Sequence, residues 1–214
     1  ASARNKTYNG NANAYIKNAT LTQASKTSGK TGQLNGDSLT LKNPHKGKFP
    51  SKNAGSYSNV QTQISLKQSG AYQNYTLQQE TNISGTINKR PVSVIDAKAK
   101  NKPYDGNKNA TIKNARLATG ATSGDQGNIS GSKLKLKNKT TGQFKSQNVK
   151  INNGSVVSQP VTTSMTLGGG ASGNYKLKQP ENLSAKITKR PVSITGASAR
   201  NKTYNGNANA YIKN

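Results

Sequence analysis

The sequence predicts an all-β protein: two tandem β-sandwich domains, immunoglobulin-like in kind, forming an elongated rod, with the start of a third repeat behind them. Three observations carry that prediction. The chain repeats itself over nearly its whole length, apolar and polar residues alternate in short runs, and Asn-Gly or Asp-Gly steps stand between the runs.

The repeat comes first. Residues 1–18 (ASARNKTYNGNANAYIKN) recur unchanged at 197–214, an offset of 196. A degenerate copy starts at Ala97, so Tyr8, Tyr104 and Tyr204 are equivalent, at offsets of 96 and then 100. Leu39 and Leu41 with Leu134 and Leu136, Phe49 with Phe144, Asn74-Tyr75 with Asn174-Tyr175, and the KRPVS at Lys89 with the KRPVS at Lys189 keep the register. From Phe49 to Tyr75 the first copy has 26 residues and from Phe144 to Tyr175 the second has 31, which marks a loop in between. Units of about 100 residues are of domain size. The domains predicted are therefore 1–89, 90–189, and 190–214 as the start of a third. A domain that opens with Arg90 to Ile95 leaves residues 1–96 without a first strand of their own; one that opens with the Ala-Ser-Ala segment makes Arg90 to Ile95 the last strand of the preceding domain. Pro91, directly after Lys89-Arg90, looks like a hinge between strands and favours the first division.

The strands are read from alternation. Leu39-Thr40-Leu41, Ile64-Ser65-Leu66, Tyr75-Thr76-Leu77, Val92-Ser93-Val94, Leu134-Lys135-Leu136-Lys137 and Tyr175-Lys176-Leu177-Lys178 each turn one face inward and one to water. No 3.6-residue period is sustained. Asn9-Gly10, Asn35-Gly36, Ser69-Gly70, Asp105-Gly106 and Asn153-Gly154 supply the positive φ angles of tight hairpins. At the unit boundary, a strand from Ser84 to Lys89 runs through Arg90-Pro91 into Val92 to Ile95 with no Gly-rich or Ser-rich linker. The same junction recurs around Pro191, and a short stiff connection makes a rod. Leu, Ile, Val and Phe together are 33 of 214 residues, about 15%, so each unit has a thin core and ordinary or low stability.

Composition narrows the function. The chain carries 32 Lys and Arg against 6 Asp and Glu, a net charge of +26, with no Cys, no Trp and a single His. The absence of Cys removes disulfides, thiolate metal sites and cysteine nucleophiles, and a lone His removes a two-histidine metal site. No apolar run approaches the ~20 residues of a membrane-spanning helix, so no membrane insertion is expected, and no signal peptide opens the sequence, which reads as a soluble piece of something longer.

At this point the residues show a family resemblance. N-K-x-Y-[DN]-G-N, A-x-I-x-N-A-x-L, a Gly-Asp before an L-x-L strand, G-x-F-x-S-x-N, A/S-G-x-N-Y-x-L and I-x-K-R-P-V-S follow one another at matching spacing. The pattern resembles the YDG-type repeats, related to the MBG-type repeats, of large bacterial surface adhesins and filamentous-haemagglutinin-like proteins, and it covers nearly all of both units. Tyr104-Asp105-Gly106 matches the motif literally, while Tyr8-Asn9-Gly10 and Tyr204-Asn205-Gly206 carry Asn. The resemblance implies an extracellular stalk or adhesive repeat on a bacterial cell surface, wall-anchored through other regions, in a setting of cell adhesion and biofilm. The strong positive charge departs from such families and is similar to the basic surface proteins of lactic-acid-type Gram-positive bacteria.

Candidate sites are few, and no enzyme, cofactor or metal site is predicted. His45 lies in a turn and faces Thr140 in the second copy, so a site built on it would not repeat. Glu80 and Glu181 are out of register by one, Asp37 faces Ser132 and Asp105 faces Asn9; paired-carboxylate catalysis and calcium binding both need acids that this chain does not repeat. A G-x-G-x-x-G at Gly168, Gly170 and Gly173 runs into a strand rather than a helix and is read as a flexible hairpin loop. Asn-x-Ser/Thr sequons are read as incidental, and a Lys-Asn isopeptide bond lacks an acid common to both units. Tyr8, Tyr104 and Tyr204 are predicted to cover sandwich ends, with Gly10, Gly106 and Gly206 in the turns behind them. Lys133, Lys135, Lys137 and Lys139 at period two would form a basic stripe, either a solvated face opposing strand aggregation or a surface for polyanions. The partners expected are neighbouring repeats and anionic glycans such as mucin, teichoic acid, capsule or exopolysaccharide. Nucleic acid would be held only nonspecifically, because 27 Lys to 5 Arg without interleaved aromatics is a poor reader of bases.

Overall fold

The computed structural model describes residues 1–24 and 30–213. They are all-β, apart from two single-turn 3-10 helices at Tyr72–Asn74 and Ser172–Asn174. In the first unit Ser2–Ala3, Asn13–Lys17, Lys46–Lys48 and Gln61–Thr62 form one antiparallel sheet. In the second, Lys98–Ala99, Asn109–Lys113, Thr141–Phe144, Gln159–Thr162 and Ser184–Ala185 form its counterpart. Register repeats with sequence: Ala3 lies opposite Ile16, and Ala99 opposite Ile112. Opposite this sheet Lys6–Thr7 runs parallel to Gly85–Asn88, which also pairs with Gly55–Tyr57, and Lys102–Pro103 runs parallel to Ile187–Thr188. Alternation does what a half-buried strand requires: in Asn13–Lys17, Ala14 and Ile16 are buried while Asn13, Tyr15 and Lys17 face solvent. Asn109–Lys113 repeats that pattern.

Every ladder among the described residues stays within one unit, but one of the two cores does not. Ile16, Phe49, Ile83 and Ile87 of the first unit share a cluster with Val92, Ile129 and Tyr175 of the second. Ile112, Phe144, Val161, Met165 and Ile187 form the second cluster with Val94. The second cluster lies wholly within 90–189, while the first draws on both units, so the first unit does not complete its core by itself. The strand Arg90–Ile95 sends Val92 into the first cluster and Val94 into the second, so it packs between the two units.

Several strand expectations change for physical reasons. Tyr75-Thr76-Leu77 is extended but belongs to no ladder, whereas Tyr175–Lys178 pairs in parallel with Arg90–Ser93. Leu39-Thr40-Leu41 contributes only Leu41–Lys42 to a strand. The residues that lengthen the second copy form a hairpin of Ile151–Asn152 and Ser155–Val156 rather than an irregular loop. Its Asn153 and Gly154 have φ of +47° and +76°, the two left-handed residues of a tight two-residue turn. Gly168, read as loop, closes the strand Thr166–Gly168, and Ser172–Asn174 is helical.

Candidate functional site

The YDG-type turn is built from a lysine clamp. Lys102 donates through Nζ to Asp105 Oδ1 at 2.6 Å, to the Asn107 carbonyl at 2.8 Å and to Asn107 Oδ1 at 2.9 Å. Asn107 Oδ1 also accepts the Asn109 N–H at 2.8 Å. Lys6 repeats the clamp on Asn11 and the Asn13 carbonyl, and Lys202 repeats it on Asn205 and Asn207. Gly106 turns the chain at φ +77° with open space where a Cβ would stand, so glycine is needed there for conformation and not for room. The turn is not the hairpin expected. It carries the chain from the strand Lys102–Pro103 to Asn109–Lys113, which lie in different sheets. The Lys6 and Lys102 ammonium groups also sit 5.9 and 5.6 Å from the ring centres of Phe49 and Phe144, over the cores. The hydrogen bond from Lys102 holds the Asp105 carboxyl below the usual carboxylate range. Burial holds the Lys6 ammonium below the usual lysine range.

These lysines were not singled out by sequence reasoning, which stopped at the Tyr and Gly of the motif. The signal was present: Lys stands two residues before the Tyr in all three copies.

The second constellation is the junction. Arg90 is fully buried, and among the described residues its guanidinium meets no carboxylate. Nε donates to the Gly127 carbonyl at 2.8 Å. One terminal nitrogen donates to the carbonyls of Tyr8, at 3.3 Å, and Gly124, and the other to those of Ala121 and Gln126, both at 2.6 Å. A guanidinium has five N–H donors, and five backbone carbonyls take them. Such charge-assisted bonds offset the cost of burying the cation. Four of those carbonyls belong to residues 121–127 and the fifth to the first unit, so one side chain organises a loop and ties it to its neighbour. Gly120 is tight here: an added Cβ would lie 2.0 Å from the Gln126 oxygen and 3.0 Å from the Arg90 guanidinium. Pro91 sits inside the strand as its partner of Lys176, and its carbonyl accepts the Gly127 N–H at 2.8 Å.

Tyr8 completes the contact. Its ring stands edge-on to Tyr175 across the boundary at 5.4 Å between centroids, and Asn174 accepts the Ala54 N–H at 2.7 Å and donates to Asn53 Oδ1 at 3.1 Å. Burial, and after it the neighbouring Tyr175, raises the Tyr8 phenol above its ordinary range, against a hydrogen bond to Asn174 that lowers it. The three equivalent tyrosines therefore differ in exposure: Tyr8 6%, Tyr104 36% and Tyr204 92%. Tyr8, the most buried of the three, is the one packed against Tyr175 of the second unit. Pro191 and Gly206, at the matching positions of 190–214, are exposed.

The lysine group Lys133, Lys135, Lys137 and Lys139 is divided by the backbone. Lys135 and Lys137 point outward from the strand Lys135–Lys137. Lys133 has φ +53° and lies before the strand, and Lys139 lies in the turn after Asn138, so the continuous period-two stripe is not formed. All four remain exposed. Leu134 packs on the first cluster and Leu136 on the second. His45 is in its predicted turn, but its ring stacks on Tyr15 at 4.5 Å, and its Nδ1–H donates to the Ile16 carbonyl at 2.9 Å.

The fold and this site define a class: tandem all-β repeat units whose motif residues shape turns and join one unit to the next. The YDG domain family model matches residues 1–83 and again 88–182, and the chain belongs to that family. Neither a curated protein nor a solved structure matches it significantly.

Proposed function

We propose that the chain is a stalk or spacer module of a bacterial cell-surface adhesin, acting outside the cell and attached to the wall through other parts of the polypeptide. The observation that supports this reading best is the junction. A fully buried arginine with all five donors bonded, a strand shared between two cores and the Tyr8–Tyr175 contact resist bending where a flexible linker would not. The repeat-defining Lys, Tyr, Asn and Gly residues are spent on turns and unit contacts, which suits a part whose task is to extend. Backbone 15N relaxation tests the mechanics: the two units should tumble as one body. Separate correlation times for 1–89 and 90–189 would defeat the stalk reading. Antibody labelling of intact cells tests location, with surface signal expected.

A second reading, capture of anionic glycans by the modules themselves, is favoured by one feature. Among the described residues only Lys102 and Arg116 pair a basic side chain with a carboxylate, against a net charge of +26. The remaining field attracts polyanions and is screened beyond about 8 Å at physiological salt. Replacement of Lys133, Lys135, Lys137 and Lys139 by Gln should weaken heparin or teichoic-acid binding without unfolding. Binding of the parent chain should fall by an order of magnitude or more over a several-fold rise in salt. Binding unchanged at about 0.5 M salt, or competed by a neutral sugar, would point to a shaped lectin pocket instead.

A further inference from the structure

The outer face of the second unit's five-stranded sheet gathers cations that are far apart in sequence. Lys98 and Lys113 are direct partners in the antiparallel pairing of Lys98–Ala99 with Asn109–Lys113. On the other side of Asn109–Lys113, the ladder with Thr141–Phe144 pairs Thr111 with Thr141. One more bond, from the Ile112 N–H to the Thr140 carbonyl at 2.8 Å, carries that register into the turn and sets Lys139 level with Lys113. Lys98, Lys113 and Lys139 thus form a row across three chain segments that lie about 4.8 Å apart. Lys100 stands in the next row, its N–H donating to the Thr111 carbonyl at 2.9 Å, and that row continues through Thr111 and Thr141. All six of these residues are exposed.

Like charges directly opposite one another weaken a sheet. Elsewhere the molecule avoids the arrangement: in the ladders among the described residues every other paired Lys or Arg faces a neutral residue. Protection of an edge explains only part of the exception. Lys98 is on the edge strand, where a charge opposes aggregation, but Lys113 is on the strand between Lys98–Ala99 and Thr141–Phe144. Nor is the row neutralised from within. The acid nearest in sequence, Asp96, is taken by Arg116 at 2.5 Å, and none of the three lysines has a carboxylate partner among the described residues. The first unit has Ser2, Lys17 and Pro44 at the matching positions, with Ser2 opposite Lys17 in the same register, so the row belongs to the second unit. Ser2 and Lys17 stay exposed with a unit folded beside them, so a folded neighbour does not cover this face.

We propose that Lys98, Lys113 and Lys139, with Lys100 beside them, are a binding site for a linear anionic polysaccharide lying across the strands. The proposal rests on the second reading above, polyanion capture by the modules, and places it on a different sheet from Lys135 and Lys137. Each ammonium is a point charge that takes sulfate, carboxylate or phosphate alike. A succession of anions along the row offsets the repulsion between the lysines, and the Thr111 and Thr141 hydroxyls donate to and accept from sugar hydroxyls in the next row. Neither row holds an aromatic side chain on which a base could stack, which favours a polysaccharide over nucleic acid.

The experiment is calorimetric titration of the full chain with heparin and with a poly(glycerol phosphate) teichoic acid between about 0.05 and 0.2 M salt. The parent is compared with Lys98→Gln/Lys113→Gln/Lys139→Gln and with Lys133→Gln/Lys135→Gln/Lys137→Gln, which removes the same charge elsewhere. The first variant should lose at least about tenfold in affinity, with a log–log salt slope shallower by about two to three, and the second should lose less than about threefold. Whichever polymer binds the parent more tightly identifies the preferred anion. The first variant should also melt no lower than the parent, because a repulsive pair is gone. A lower melting temperature would overturn the argument from repulsion. Equal losses in the two variants would overturn the site and leave polyanion capture standing, whereas a parent that binds neither polymer would overturn both. Tighter binding of single-stranded DNA than of heparin at equal charge would overturn the ligand class.

Discussion

Two pentapeptides of identical sequence, Lys89 to Ser93 and Lys189 to Ser193, have opposite fates in one molecule. In the first, Arg90 and Val92 are completely buried and the backbone belongs to a three-stranded sheet. In the second every residue is exposed and none is in a strand. Composition and propensity are the same, so neither accounts for the difference. What the first has and the second lacks is a unit folded around it, with Tyr175–Lys178 on one edge, Arg116–Leu117 on the other and the 121–127 loop over the guanidinium. A strand is stable only where its main-chain groups and its apolar face both find partners.

The sharpest way to break the comparison is at the arginines. Arg90→Ala leaves four loop carbonyls and that of Tyr8 without their donor and should cost about 3–5 kcal/mol by denaturant melting. Arg190→Ala should stay within about 0.5 kcal/mol. Arg90→Lys should recover only part of the loss, since an ammonium brings three donors where five are used.

Tyrosine truncation comes next. Tyr8→Ala removes a buried ring that touches both units and should cost about 3 kcal/mol. It should also split a single unfolding transition into two, visible by calorimetry. Tyr204→Ala should leave the melt unchanged, and Tyr104→Ala should fall between. Equal effects at the three positions would mean that the ring acts within its own turn rather than across the junction.

Val92→Ala should cost about 2 kcal/mol from the lost methyl groups and the cavity they leave. Val192→Ala should cost nothing measurable in dilute solution.

The smallest expected effect is in alkali. Burial raises the Tyr8 phenol above its ordinary value of about 10. The unfolded chain therefore loses its proton first. The contribution of this group is fully present below that ordinary value and is lost as pH rises through the higher folded one. Melts between about pH 9 and pH 11 should show stability falling, with a shallower slope in Tyr8→Phe and an unchanged slope in Tyr204→Phe.

Much of the fold was legible because it is written twice. The offsets that align Tyr8 with Tyr104 and Phe49 with Phe144 also align the observed registers, and the alternation in Asn109–Lys113 is the burial pattern found. The lysine clamp was legible too, as a Lys two residues before each Tyr, though only the hydrogen bonds show its task. Arg90 was not. Its sequence neighbours advertise a basic, solvated junction, and the five carbonyls that bury it come from residues 31 or more positions away.

The segment 190–213 separates the two kinds of information. With no unit folded around it, Lys202 still closes its turn on Asn205 and Asn207, and Ser198–Ala199 still pairs with Ile212–Lys213. The sequence by itself determines those features: in the turn, donor, acceptor and left-handed glycine lie within a few residues, and the strand pair around it spans only Ser198 to Lys213, so closing either loop costs little entropy. Whether KRPVS becomes a buried strand, whether the YDG tyrosine is covered and whether Tyr75-Thr76-Leu77 finds a ladder were decided only by tertiary structure. Each depends on apolar faces and main-chain groups brought from elsewhere in the chain, and their burial stabilises the strand only once both partners are in place.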